Sequence, residues 1–228
     1  MQKFVMRHAL LFAIAILMIG LPAGPLAAQP IPQDVITVGI GSGAPGSVVD
    51  IPVYIRDVSN TPLGIDQPAG SRIQSYSIKV DYAPAAAVQS VTFTRAGITT
   101  SLTPTFESSP SAPGTISLLD TFQENTNLIP FTLDALPPGD QVAHLVFTLS
   151  PTATPGQTIT LTLDPILTQL TDQGGSPATR ESVANNNLAL INGEIDVVAA
   201  ALPAPTFSAW AVILLAVSLA FLAIRTRL

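Results

Sequence analysis

Residues 73–84, Ile-Gln-Ser-Tyr-Ser-Ile-Lys-Val-Asp-Tyr-Ala-Pro, decide the fold of this 228-residue chain. Apolar and aromatic side chains recur there at every second position, and the residues between them are polar. The apolar set is Tyr76, Ile78, Val80 and Tyr82, and the polar set is Ser75, Ser77, Lys79 and Asp81. A period of two predicts a β-strand with one face against a core and the other face in solvent.

Similar short runs lie on both sides of this segment. We predict strands at residues 35–40, 48–55, 88–94, 115–119, 141–149, 158–163 and 188–198, with weaker ones at 102–106 and 128–133. Pro-Gly pairs at 45–46, 113–114, 138–139 and 155–156 predict turns, and Gly39, Gly41 and Gly43 predict a flexible turn between strands. About nine short strands in one domain predict an all-β fold, a two-sheet antiparallel β-sandwich, with a closed barrel as the lesser alternative.

The first 28 residues have the features of a secretory signal peptide. Lys3 and Arg7 precede an apolar run over residues 9–21, and the small pair Ala27 and Ala28 follows it. This order of basic, apolar and small residues is typical of exported proteins, and we predict cleavage after Ala28. A retained N-terminal anchor is the alternative.

The end of the chain predicts a transmembrane helix. Residues 207–224 carry no charge, and 18 residues at a rise of 1.5 Å form a helix of about 27 Å, just long enough to cross a bilayer. Arg225 and Arg227 follow this run. Because basic residues stay on the cytoplasmic side, the rest of the chain is predicted to face outward.

A short lead-in, made of Pro205, Thr206, Phe207, Ser208 and Trp210, opens this apolar run. Residues 202–228 resemble the IPTL-CTERM class of bacterial C-terminal sorting signals, relatives of PEP-CTERM, whose usual form is Ile-Pro-Thr-Leu-Ser-Glu-Trp. Ala204, Phe207 and Ala209 replace Ile, Leu and Glu of that form. The resemblance implies processing by an exosortase-type transpeptidase. A plain membrane anchor is the alternative, although it has no need of the Pro-Thr-x-Ser-x-Trp order.

The region between the two ends is strongly acidic. It holds all fifteen acidic residues and five basic ones, a net charge of −10. Such a surface repels phosphate groups, which argues against nucleic acid as a partner. The chain has no cysteine, and this excludes disulfides, thiolate metal sites and thiol nucleophiles.

Several short motifs follow one another in a fixed order through residues 35–198. They are ITVG at 36–39, APGSVVDIPV at 44–53, IQSYSIKVDYAP at 73–84, AAVQSV at 86–91, GTISL at 114–118, VAHLVF at 142–147, PG at 155–156 and NGEIDV at 192–197. This ordered set resembles the strands and turns of cohesin domains, with Ala83 where Asp is usual. The resemblance implies a nine-stranded jelly-roll, related to cellulose-binding modules, that binds dockerin domains or carbohydrate without catalysis.

In cohesins the partner docks on one flat sheet face. The resemblance therefore implies candidate contacts at Ser75, Ser77, Lys79, Phe106 and Ser117. The alternative is a merely solvated sheet face, which predicts the same polar alternation. A polysaccharide platform usually presents aromatic rings. The exported region contains no Trp, and Phe106 and Phe122 are the aromatic residues whose irregular context leaves room for exposure.

Residues for catalysis or metal binding give weaker patterns. His144 is the only histidine outside the signal peptide and lies in the middle of a predicted strand, so a structural or surface histidine is favoured over a general base. Loops with Asp57, Asp66, Asp172 and residues 185–187 offer oxygens to Ca²⁺, but they lack EF-hand spacing, and solvated loop acids are the default interpretation. We assign no catalytic residue, no metal ligand and no cofactor.

These observations predict four regions: a signal peptide at 1–28, a cohesin-like domain at 29–198, a linker at 199–205, and a sorting signal with its transmembrane helix at 206–228. The loops at 59–71 and 164–187 are predicted to carry specificity, because binding functions often lie on surface loops. The predicted function is a secreted, surface-retained, non-catalytic binding or adhesion module for a dockerin-type protein or a polysaccharide. A structural matrix protein and, less favoured, a glycan hydrolase are the alternatives.

Overall fold

The alternating segment forms a central strand of the domain. In a computed structural model, residues 75–83 bury Tyr76, Ile78, Val80 and Tyr82 and turn the polar residues between them outward. The structure describes residues 31–123, 126–172 and 178–200. The predicted signal peptide, sorting signal and C-terminal helix lie outside these ranges. No helix within the described ranges is long and apolar enough to span a membrane.

The described residues contain fourteen strands and three short 3₁₀ turns, and no α-helix. The strands are β1 Asp34–Val38, β2 Ile40–Gly43, β3 Val48–Arg56, β4 Ser75–Ala83, β5 Val88–Arg95, β6 Phe106–Ser108, β7 Ser111–Ala112, β8 Thr115–Thr121, β9 Asp140–Leu149, β10 Thr158–Leu163, β11 Gln169–Thr171, β12 Arg180–Glu181, β13 Leu188–Ile191 and β14 Gly193–Val197. The 3₁₀ turns are Ala85–Ala87, Gly97–Thr99 and Val183–Asn185. The predicted segments at 102–106 and 128–133 are irregular apart from Phe106. Ile129 and Phe131 are nevertheless buried, because this irregular segment covers part of the core.

The strands form two sheets that pack face to face. One sheet has five strands in the order β13-β1-β3-β9-β5. The other has nine strands, six of which follow the order β12-β11-β4-β10-β14-β2. Its remaining strands branch from β4: β8 pairs with β4, and both β6 and β7 pair with β8. Apolar side chains from both sheets meet between them, as in the edge-to-face contact of Tyr82 with Phe147 at 5.7 Å between ring centroids. The all-β sandwich prediction is confirmed.

The sheets are mixed, which differs from the antiparallel prediction. β1 runs parallel to β13 and β2 runs parallel to β14, whereas the other pairs are antiparallel. Both ends of the domain cross together from the five-stranded sheet to the nine-stranded sheet, near Gly39 and Asn192. Parallel neighbours require a long connection, and here nearly the whole domain lies between the two strands of each pair. The alternation of polar and apolar residues within a strand does not indicate which distant strand pairs with it.

The glycines at 39, 41 and 43 do not form the predicted flexible turn. Residues 40–43 form β2, at the edge of the nine-stranded sheet. A Cβ on Gly41 would collide with Ile51 Cδ1, and a Cβ on Gly43 would collide with Val49 Cγ2. The missing side chains therefore let β2 lie close against the apolar face of β3.

The expectation that Phe122 is exposed is also wrong. Its side chain is fully buried, with its ring centroid 6.3 Å from that of Tyr76, so it is a core residue and not an exposed platform. Phe106 is 54% exposed, as its irregular context allowed.

Candidate recognition face

The five candidate contact residues lie on one sheet. Ser75, Ser77 and Lys79 are on β4, Ser117 is opposite Lys79 on β8, and Phe106 is on β6 opposite Thr121 of β8. Directly paired residues share a face of a sheet, and neighbouring strands are about 4.8 Å apart. The candidate residues therefore share the outer face of the nine-stranded sheet. We call the outer surface of β4, β6 and β8 the recognition face.

A flap formed by residues 164–168 rises beside Lys79. β10 ends its pairing with β4 at Leu163 opposite Val80, and β11 begins at Gln169 opposite Ser77. Five residues thus stand opposite two residues of β4, so the excess chain must leave the plane of the sheet. Asp164 shapes the flap, since its Oδ1 accepts hydrogen bonds from the Ile166 and Leu167 N–H groups at 2.8 and 3.0 Å.

The ammonium group of Lys79 is already paired with carboxylates of the same chain. Its Nζ donates to Asp164 Oδ2 at 2.8 Å and lies 3.5 Å from Asp81 Oδ1. The hydrogen bond with Asp164 raises the pKa of Lys79, and the same bond lowers the pKa of Asp164. The Asp164 N–H also donates to the Lys79 carbonyl at 3.0 Å. Lys79 is therefore placed to hold the flap.

The serine hydroxyls of β4 are also used internally. Ser77 Oγ donates to the Leu167 carbonyl at 2.9 Å, which is a further bond between β4 and the flap. Ser75 Oγ donates to the Asp120 carbonyl at 2.9 Å and lies 2.9 Å from Thr121 Oγ1. These residues organise the face as well as contributing to its surface.

The flap presents two apolar side chains that sequence reasoning missed. Ile166 is 82% exposed and Leu167 is 52% exposed, while the neighbouring Thr168 is fully buried. The sequence feature that could have revealed them is the pair of apolar residues between Pro165, a turn former, and the polar Thr168. The surrounding loop was interpreted as polar. With Phe106, these side chains make the exposed apolar part of the recognition face.

The surroundings of this apolar part are acidic. Glu194 and Asp196 of β14 are exposed, and Thr158 Oγ1 of β10 donates to Asp196 Oδ1 at 2.8 Å. Asp81 lies on β4 with 48% of its side chain exposed. A partner that covers this face meets apolar groups beside carboxylates, which favours a partner with apolar and basic side chains.

His144 lies on the outer face of the other sheet. Its Nδ1 is 3.0 Å from Asp50 Oδ2, and the two side chains are 29% and 59% exposed. This is the surface placement that its alternation predicted. Among the described residues, no group of three histidine, aspartate or glutamate side chains is arranged to hold a metal ion.

Three concave regions lie elsewhere on the described surface. A cavity of about 370 Å³ is lined by Val35, Thr37, Arg56, Pro137, Pro138 and Ile191, and one of about 240 Å³ includes Arg72, Ile73, Leu128 and Phe131. A third, of about 410 Å³, lies over Ile40, Thr160, Asn192 and Glu194. None of these three cavities is lined by His144.

No family model and no curated protein sequence matches this chain. Solved structures do match it. CaCohA2 of Clostridium acetobutylicum, solved in complex with CaDoc0917, is 25% identical with a TM-score of 0.51, over 72% of this chain and 99% of the other. The third ScaC cohesin of Acetivibrio cellulolyticus, in complex with the ScaB dockerin, is 20% identical with a TM-score of 0.52, over 73% of this chain and 100% of the other.

Another cohesin matches equally well. The seventh ScaB type I cohesin of Pseudobacteroides cellulosolvens is 20% identical with a TM-score of 0.51, over 75% of this chain and 96% of the other. These whole-domain similarities show that the described residues form a cohesin-like β-sandwich.

Proposed function

We propose that this protein is an exported, surface-retained binding module of cohesin type that recognises a dockerin-type protein through the recognition face. The observation that carries the proposal is the similarity to CaCohA2 over 99% of that domain, which was solved together with CaDoc0917. The apolar flap tip beside acidic strands supports the same face. The module acts by binding and not by catalysis.

The apolar side chains supply the affinity in this proposal. Full burial of an exposed aliphatic or aromatic side chain contributes about 1.5–3 kcal/mol. Ile166, Leu167 and Phe106 together therefore offer several kcal/mol before the costs of association. Lys79 acts by positioning the flap, because its ammonium group is already bonded to Asp164.

Export and retention rest on the sequence of the two ends. The signal peptide ends at Ala28, and the Pro-Thr-Phe-Ser-Ala-Trp order before the apolar run is the substrate of a sorting transpeptidase. Mass spectrometry of the protein from its native host tests both points. Cleavage after Ala28 together with loss of the C-terminal helix supports sorting, and an intact C-terminal helix means that the protein is a plain anchored protein.

Binding is tested with the mature protein against dockerin-type domains of the same organism and against a polysaccharide array. We expect saturable binding to a dockerin-type domain that weakens on the order of 10- to 100-fold when Ile166 and Leu167 are both changed to Ser. Val48→Ser is the matched control, because Val48 is 65% exposed on the five-stranded sheet.

The outcomes of this experiment separate the alternatives. Binding that Val48→Ser abolishes and the flap variant leaves intact would place the site on the opposite face. Binding to polysaccharide alone would replace the partner class, and a folded protein that binds neither class would favour the structural matrix role.

A further inference from the structure

Three carboxyl groups are fully buried at one end of the sandwich. Asp34 begins β1, Asp57 follows β3, and Glu181 ends β12, so three distant parts of the chain supply them. Each is 0% exposed. Fully buried acids are uncommon unless they have partners, so this acid cluster requires an explanation.

All three carboxyl groups hold the same loop, residues 58–66. The Val58 N–H donates to Asp34 Oδ1, the Leu63 N–H to Glu181 Oε1, and the Ile65 N–H to Asp57 Oδ2, each at 2.8 Å. The remaining oxygens, which are Asp34 Oδ2, Asp57 Oδ1 and Glu181 Oε2, are buried without a hydrogen-bond donor. One oxygen of each acid therefore fastens the loop and the other is left unpaired.

A proton is the group that fits these unpaired oxygens. The Asp34 and Glu181 side chains lie within hydrogen-bonding reach of each other, and a bond between two carboxyl groups exists only when one of them is protonated. The Thr61 hydroxyl lies beside both, and its oxygen is within hydrogen-bond distance of the Val58 and Leu63 carbonyls, one of which accepts its single proton.

The charged groups that face the cluster are themselves acids. Asp66 of the loop and Asp134, which accepts a hydrogen bond from the Ser59 N–H, act on Asp57 together with Asp34. Burial, the largest cause, raises the pKa of Asp34 to about 9 and that of Asp57 to about 7. Burial also raises the pKa of Glu181.

We propose that Asp34, Asp57 and Glu181 form a proton-operated latch, which holds loop 58–66 against the sandwich while protons remain in the cluster and releases it when they are lost. In the latched state the cluster is neutral enough to stay buried. In the unlatched state adjacent carboxylates repel one another, and solvation of their charges requires the loop to move. The latch thus couples the pH outside the chain to a loop that the sequence singled out for specificity.

The direction of the pH effect follows from proton linkage. The unfolded chain releases these protons near pH 4, whereas the folded domain keeps them up to about pH 7 at Asp57 and about pH 9 at Asp34. The folded state therefore binds more protons across this window, and stability falls as the pH rises. Each extra proton that the folded state holds raises the unfolding equilibrium constant about tenfold per pH unit.

The test is hydrogen exchange of the Val58, Leu63 and Ile65 amides in the full chain at pH 5, 7 and 9, corrected for intrinsic exchange. We expect their protection factors to fall at least tenfold between pH 5 and pH 9. Asp34→Asn, which keeps an oxygen for Val58 and supplies an N–H to Glu181, is expected to reduce this dependence. Glu181→Gln is the second variant, and Glu194→Gln, at an exposed position of β14, is the control that keeps the dependence of the native chain.

Two results would overturn the latch. One is protection of the three amides that does not change with pH in the native chain. The other is an unchanged pH dependence in whichever of Asp34→Asn and Glu181→Gln folds.

Discussion

Gly64 is the position at which one methyl group most directly disturbs the loop held by the acid cluster. Its φ is +152°, and a Cβ there would lie 2.6 Å from Asp57 Oδ1 and 2.8 Å from Asp66 Oδ1. An alanine in a backbone region reserved for glycine costs about 1–3 kcal/mol. Displacing the buried Asp57 carboxyl from the Ile65 N–H adds about 1–3 kcal/mol for a lost buried hydrogen bond. Gly64→Ala is thus expected to destabilise the domain by roughly 2–6 kcal/mol.

The matched control is Gly156→Ala. Gly156 also has a positive φ, +88°, but a Cβ there would meet no atom within 4 Å. It therefore incurs the backbone cost alone, about 1–2 kcal/mol. In urea unfolding with a slope near 2 kcal/mol/M, we expect the midpoint to fall by about 1–3 M for Gly64→Ala and by no more than about 1 M for Gly156→Ala. Equal shifts in the two variants would refute the argument that the carboxyl groups pin this loop.

Two further predictions concern the core between the sheets. Phe147→Ala is expected to destabilise by about 3–5 kcal/mol in the same urea assay, because Phe147 is fully buried against Tyr82; a loss below about 1 kcal/mol would mean that the sheets do not pack as described. Asp120 is a buried acid of β8 whose pKa burial raises to about 6. Its contribution to stability therefore declines as the pH rises from about 4 to 6, and Asp120→Asn should flatten the stability profile over that interval. A profile unchanged by this substitution would show that Asp120 titrates normally.

The strands were largely predictable because their signal is local. The alternation at Tyr76, Ile78 and Val80 follows from the strand repeat itself, and one buried face is enough to impose it. The order of cohesin-like motifs then predicted the sandwich that the solved structures match. Pairing between distant strands has no such local signal, so the parallel β1–β13 and β2–β14 pairs were missed.

The placement of the candidate contact residues was predicted in part. Ser75, Ser77 and Lys79 were placed on a common outward face because every second residue of a strand shares a face. The flap with Ile166 and Leu167 was missed, because it arises from the mismatch of five residues against two across paired strands. The ion pair between Lys79 and Asp164 was missed for a related reason, because the two residues are 85 positions apart in the sequence.

The sequence by itself determined the composition of the surface and the side of each strand that is buried. It also supplied the patterns at both ends that predict export and sorting, because these depend on charge, apolar length and residues close together in the chain. The tertiary structure decided which strands are neighbours, which glycines allow β2 to approach β3, and which acids share an interior. Nothing in the sequence links Asp34, Asp57 and Glu181 to one another. They become a single cluster only when folding removes all three from water at one point, where the cost of ionising one depends on the others.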